Sequence, residues 1–245
     1  MLDEHAVLMF CLVAVSLIGF QSLISALVNG KANPNGLHLA RRVQHAMSGL
    51  VLLPITYTSL LEDYWVACLL LLLFGASVVF ALHVARLYDN RVQELLVKGY
   101  GSLAREDEIV NKKVPGAFYF MLGLALALLS TDEFPQGLKP LRLSLLYLSL
   151  GDPLAGIVGR LFDHSAIRVY GKKTLAGSLA CMLTCFVCTL TQTSNVFFAL
   201  WGGVIGAFAE AFPPLGVDDN LWIPVFSTLF LRFSASSFPF GTAWT

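Results

Sequence analysis

Eight apolar stretches, each near twenty residues, govern what this chain can become. They fall at about 6–28, 43–61, 64–85, 115–130, 142–161, 175–193, 195–213 and 221–238. Roughly 20 apolar residues are needed for a helix to cross a bilayer, where every backbone polar group must be satisfied inside the segment. The pattern predicts an all-α fold, a polytopic transmembrane helix bundle of about eight spans. The fourth stretch is short, and the sixth and seventh are joined by almost nothing, so seven spans is the alternative. Composition agrees: 56% hydrophobic and 13% charged residues leave too little polar surface for a soluble domain of 245 residues. One domain over 1–245 is expected. The opening MLDEHAVLMF leads with acids rather than bases, so it reads as a retained first span and not as a signal peptide.

The loops predict orientation, because lysine and arginine collect on the cytoplasmic side. Loop one carries Lys31, Arg41 and Arg42. Loop three carries Arg86, Arg91, Lys98, Arg105, Lys112 and Lys113, and loop five carries Arg160, Arg168, Lys172 and Lys173. Of the 16 basic residues, only Lys139 and Arg142 lie in even-numbered loops, and Arg232 lies within the last span. The odd loops are thus expected on one face, the cytoplasmic one, with a multi-pass protein built around it. Zero net charge gives no footprint for nucleic acid, and none is expected as a partner.

The most informative stretch is 151–178, GDPLAGIVGRLFDHSAIRVYGKKTLAGS. Asp152 is an acid inside an apolar segment, and an intramembrane acid is costly unless matched, so it marks a site. On a helix Asp152, Gly156 and Gly159 share one face, with Arg160 beside them. The glycines also suit close helix packing. Lys172 and Lys173 precede Thr174, a candidate N-cap for the next helix, where free N–H groups and the helix dipole favour phosphate. Gly171-Lys-Lys-Thr174 looks like the end of a P-loop, but no glycine stands five residues earlier and no strand is expected before it, so that motif is rejected. Acid, small residues and lysines together point to a phosphorylated, metal-bound ligand.

Other polar residues fall in the same odd loops. Arg41, Arg42 and His45 share one side of a helix entrance. The segment from Leu87 to Lys98 suggests an amphipathic interfacial helix. Arg105-Glu-Asp-Glu108 follows it, and Glu106 and Asp107 read as solvated charges. Glu210 sits near the end of the seventh stretch. Asp218-Asp219-Asn220 precede the eighth; one of the three is expected to cap the helix, leaving the oxygens of the others for a hard cation such as magnesium. Cys181, Cys185 and Cys188 form one helical stripe and are expected to pack as small hydrophobes. Zinc spacings, a nucleophile elbow and a dinucleotide fingerprint are missing.

With these residues assembled, the sequence resembles the family of integral-membrane CTP-dependent lipid kinases, which includes dolichol kinase, phytol kinase and the fungal-type diacylglycerol kinase. The resemblance runs from about Arg41 to the last span. It rests on Arg41, Arg42 and His45; on Arg105, Glu108 and Gly116-Ala-Phe-Tyr119; on Gly151, Asp152, Ala155 and Gly159; on Lys172, Lys173, Thr174, Gly177 and Ser178; and on Glu210, Asp219 and Asn220. It implies transfer of the γ-phosphoryl group of CTP to a lipid hydroxyl, with Mg2+ as the cofactor. Asp152, Glu210 and His45 would act in catalysis. Asp152, Asp219 and Asn220 would hold the metal. Arg160, Lys172, Lys173, Thr174, Gly177 and Ser178 would hold the nucleotide phosphates.

The chain is short for dolichol kinase, which favours a diacylglycerol or isoprenoid alcohol of the phytol type. Phosphatidate cytidylyltransferase shares the Gly-Asp and Lys-Lys-Thr blocks, but its closing His-Gly-Gly segment is replaced here by Gly216-Val-Asp-Asp-Asn220. A transporter with Asp152 and Glu210 on an ion path is the alternative from another class. It lacks support from an inverted repeat, and the polar residues gather at one face. The endoplasmic reticulum membrane is the favoured location, with plastid and bacterial inner membranes as alternatives.

Overall fold

The structure, a computed structural model, describes residues 34–100, 104–131, 138–165 and 167–237 together with scattered positions between 8 and 24. Most of the expected first span lies outside the described residues. The described elements are helical except for one two-stranded hairpin. In chain order the main helices are α1 (Pro34–Leu52), α2 (Trp65–Tyr88), α3 (Asn90–Tyr100), α4 (Gly116–Leu129), α5 (Lys139–Leu161), α6 (Leu175–Leu190), α7 (Val196–Ala211) and α8 (Asp219–Ser237). The hairpin, β1 (Arg168–Tyr170) and β2 (Lys173–Thr174), joins α5 to α6.

Helix limits follow the apolar stretches closely from the third onward. The second stretch differs. Its helix starts earlier, at Pro34, and stops at Leu52; Pro54 cannot donate to an α-turn, and Leu53–Tyr57 tightens into a 3-10 helix. Arg142 holds that break, donating to the Thr56 carbonyl and lying 3.9 Å above the Tyr57 ring. Among the described residues, α2 and α5 are long and apolar enough to cross a membrane by themselves. The apolar α4, α6 and α7 are shorter: 16 residues of α6 rise about 24 Å, less than the roughly 30 Å of a hydrocarbon core.

Helix α5 is the axis. Leu143, Tyr147 and Leu148 are fully buried, and α1, α6 and α8 pack around it. Tyr147 bonds Thr189 of α6 at 2.5 Å, giving its buried hydroxyl a partner. Two further pairings, α6 with α7 and α4 with both α2 and α8, complete the bundle. The cysteine stripe packs as expected: Cys181 and Cys185 are buried, thiol to thiol at 3.9 Å, against Gly151 and Gly206.

The middle of α5 is not regular. Tyr147–Gly151 forms a π-turn, in which the Asp152 N–H reaches the Tyr147 carbonyl. The next N–H in that pattern would serve the Leu148 carbonyl, but residue 153 is proline and has none. The wide turn therefore seats Pro153 without breaking α5 and leaves the Leu148 carbonyl in need of a donor.

Candidate active site

The site is assembled where α5 leaves its π-turn. Asp152 points toward α1 and is 2% exposed. Its Oδ2 accepts from Arg42 Nη1 at 2.8 Å and lies 3.7 Å from His45 Nε2. The His45 Nε2 bonds the Leu148 carbonyl oxygen at 3.0 Å. A carbonyl only accepts, so Nε2 carries the proton. His45 thus supplies the donor that Pro153 cannot. Gly156, one turn beyond Asp152, clears the path of Arg42: a Cβ there would lie 2.3 Å from the guanidinium carbon. Asp152, Gly156 and Arg42 are therefore one device, and the glycine's first service is to a charge rather than to a neighbouring helix.

The hairpin brings the second cation. Gly171 turns it with φ +51°, a conformation that favours glycine. Lys173 then reaches between two helix ends, its Nζ 2.5 Å from Glu210 Oε1 on α7 and 2.6 Å from Asp219 Oδ2 on α8. Burial opposes the ammonium, but the carboxylates of Asp219, Asp152 and Glu210 outweigh it and raise the Lys173 pKa above its ordinary value. Thr174 caps α6 as expected, its Oγ1 accepting from Gly177 N at 3.1 Å. A Cβ on Gly177 would meet the Ala155 carbonyl oxygen at 2.7 Å, so the Lys-Lys-Thr turn is pinned close against α5.

The third element is the loop before α4. Glu108 closes it, accepting from Arg105 N at 3.0 Å and from Gly116 N at 2.8 Å. Arg105 then donates to Asp218 and lies 3.8 Å from Asp219. Burial lowers the tendency of this guanidinium to stay charged, and Asp218 and Asp219 more than restore it. Burial and the neighbouring Asp219 push the Asp218 carboxyl up to about 6, against the pull of Arg105. Asn220 donates to the Gly116 carbonyl at 3.3 Å, tying α8 to α4.

Asp152, Glu210 and Asp219 thus converge from three helices, and one oxygen of each lies within 4.8 Å of the others. Asp152 Oδ1, Glu210 Oε2, Asp219 Oδ1 and Asn220 Oδ1 are buried and lack hydrogen-bond partners. Such oxygens suit a hard divalent cation, which takes carboxylate and amide oxygens. A cleft of about 1300 Å³ opens beside them, lined by Arg41, Arg160, Arg168, Lys172, Lys173 and Thr174 among others.

Several expectations change in detail. A strand, β1, does precede Gly171; it belongs to a two-stranded hairpin and not to a P-loop sheet, and position 166 is alanine, so the P-loop remains excluded. Of the three candidate caps for α8 it is Asp218 that serves, its Oδ1 accepting from Asn220 N at 3.1 Å. The first N–H groups of α6 are largely occupied: Leu175 N donates to the Ile167 carbonyl and Gly177 N to Thr174. Ser178 Oγ is buried without a partner, and Lys172 is exposed on the cleft rim. Arg41 and Arg160 line the cleft. Asp107 pairs with Lys113 at 2.8 Å on the surface, as a solvated charge should. The π-turn was not anticipated, although Asp152-Pro153 carried its signal.

No family model matches the chain, and no solved structure does. A CTP-dependent diacylglycerol kinase 1 from Schizosaccharomyces pombe is 34% identical over 163 residues, covering 60% of this chain and 68% of that protein. This chain belongs to the CTP-dependent lipid kinase family. The namesake from Saccharomyces cerevisiae is 28% identical over 186 residues, and the chain spans 62% of its length. A probable chloroplastic phytol kinase from Zea mays is 27% identical over 221 residues, which cover 81% of this chain and 68% of that protein. The residues on which the sequence resemblance rests include ones that the fold draws together from α1, α5, the hairpin, α7 and α8.

Proposed function

We propose that this chain is an integral-membrane kinase that transfers the γ-phosphoryl group of CTP to the hydroxyl of a lipid alcohol, of the diacylglycerol or phytol type. The observation that carries the reading is the convergence of Asp152, Glu210 and Asp219 beside a cleft rimmed by Arg160, Lys172 and Lys173. Phosphoryl transfer depends mainly on positioning and charge neutralisation, and this arrangement supplies carboxylates for a cation next to cations for phosphates. Relatives named for both diacylglycerol and phytol support the two acceptors.

In the reaction the alcohol oxygen bonds to the γ-phosphorus, the bond from that phosphorus to the bridging oxygen breaks, and CDP leaves with the electron pair. The hydroxyl proton passes to a carboxylate. Mg2+ held by Glu210, Asp219 and Asn220, with Asp152 near, would neutralise phosphate charge. Lys172, Lys173 and Arg160 bind the phosphates. Arg42 holds Asp152 in place, and His45, fixed on Leu148, orients rather than shuttles.

A membrane setting is supported by the outward faces of α6 and α7. Leu179, Leu183 and Val187 form one exposed apolar stripe, and Leu200, Val204 and Phe208 form another. Exposed apolar area on this scale suits lipid. The site then sits at the cytoplasmic surface, where CTP is available, and the lipid arrives from the bilayer. The test is purified protein with γ-labelled CTP, magnesium and a panel of diacylglycerol, phytol, dolichol and undecaprenol. Labelled phosphate esters of diacylglycerol or phytol are expected; no labelled lipid, or label released only as pyrophosphate, the product of cytidylyl transfer, would overturn the reading.

A further inference from the structure

The acid cluster is divided between two cavities. Glu210 and Asp219 line the large basic cleft, whereas Asp152 and Asn220 line a second cavity of about 350 Å³ between α1, α2 and α4. Arg41, Arg42 and Arg105 belong to both and form the partition.

The second cavity is graded along α1. Its polar end holds Arg42 and His45, Ser48 follows one turn later, and Leu52 ends it. Leu72 of α2 and Phe120 and Met121 of α4 complete the apolar end. Phe120 meets the His45 ring edge-on, with centroids 5.7 Å apart. At the polar end Asp152 Oδ1 is buried and lacks a hydrogen-bond partner, while its Oδ2 is held by Arg42. The unpartnered oxygen of Asp152, with that of Asn220 also on the lining, in a slot that turns apolar along α1 calls for a hydroxyl carried on hydrocarbon. A nucleotide, with several phosphates to neutralise, matches the other cavity.

We propose that this cavity receives the alcohol end of an amphiphilic acceptor, with its hydroxyl on Asp152 Oδ1 and its first carbons on Leu52, Leu72, Phe120 and Met121. The assignment rests on the lipid-kinase reading and divides the acids within it. Asp152 faces the acceptor and takes the proton as the new oxygen–phosphorus bond forms, and Glu210 and Asp219 face the donor. Donor and acceptor meet across the Arg42–Arg105 partition.

The experiment reads binding without turnover. The full chain in detergent is incubated, without nucleotide, with a long-chain primary alcohol carrying a diazirine near its hydroxyl end, irradiated, and mapped by mass spectrometry. Label is expected on the segments 45–52 and 116–121. Ser48→Trp and, from the opposite wall, Leu72→Trp should each cut that label roughly tenfold or more. Binding of a fluorescent CTP analogue should stay unchanged, which shows the variants remain folded. Label concentrated on the outer faces of α6 and α7, or label undiminished in both variants, would overturn the proposal. Because no phosphoryl transfer is needed, an alcohol labelled at this cavity but never phosphorylated would sink the kinase reading and leave the cavity assignment standing.

Discussion

The His45 imidazole and the Leu148 carbonyl stand 3.0 Å apart, a histidine of α1 completing a hydrogen bond that α5 cannot make for itself. The partnership has a measurable cost when broken. A buried carbonyl left unsatisfied costs about 1–3 kcal/mol. His45→Phe should lower unfolding stability by about that amount, while His45→Gln, whose amide can still donate, should recover most of it. Equal stabilities for wild type and His45→Phe would show that Leu148 finds its donor elsewhere.

Gly156→Ala is expected to act on activity through Arg42. The added Cβ would lie 2.3 Å from the guanidinium carbon, so Arg42 must leave Asp152 or the helices must part. Initial rates should fall to near those of Arg42→Ala, and the double variant should fall little further, since both changes remove one interaction. Additive losses in rate would separate the glycine from the arginine.

Lys173 should report on the nucleotide and not on the lipid. Its ammonium is placed between Glu210 and Asp219 by the hairpin, and arginine is not an equivalent for a compact point charge. Lys173→Arg and Lys173→Ala should both raise the KM for CTP or reduce kcat, with little change in the KM for lipid. A Lys173→Arg enzyme with wild-type kinetics would assign this lysine to general surface charge.

Asp218 combines two jobs that substitution can separate. Asparagine caps a helix about as well as aspartate, so Asp218→Asn should keep the α8 cap and lose the charge opposite Arg105. Asp218→Ala loses both, with a further cost of about 1 kcal/mol. Thermal unfolding of the pair measures the difference, and identical melting would refute the capping role.

Much of this was legible in the chain, for reasons that differ by residue. Apolar runs fixed most helix limits because helix length and burial are written locally. Thr174 as a cap was legible because capping acts over three residues. The site acids stood out because acids beside apolar runs are rare. The π-turn was not legible as such: Pro153 announces a disturbance, but whether a helix kinks, ends or widens depends on what α1 can offer the freed carbonyl. Which of Asp218, Asp219 and Asn220 caps α8 was not legible, because three adjacent side chains can each cap. The division of the acids between two cavities is invisible in sequence, since it depends on where Arg42 and Arg105 cross.

Orientation gives a separate test. Single cysteines at Lys112, Lys172 and Asp219 should all be labelled by an impermeant reagent from the same side of the membrane. Any one of them reacting from the opposite side would break the site apart.

The π-turn has one more consequence, for chain length. Closing a ring over five residues instead of four, it contains one residue more than an α-helix of the same course would use. Removing one residue from 147–151 together with Pro153→Ala would let α5 run through as an ordinary helix, with the faces of 139–146 and 152–161 still turned toward their present neighbours. The bundle would survive such a deletion better than the active site would. A chain one residue shorter at this point and without the proline would lose the seat of its histidine while keeping its fold.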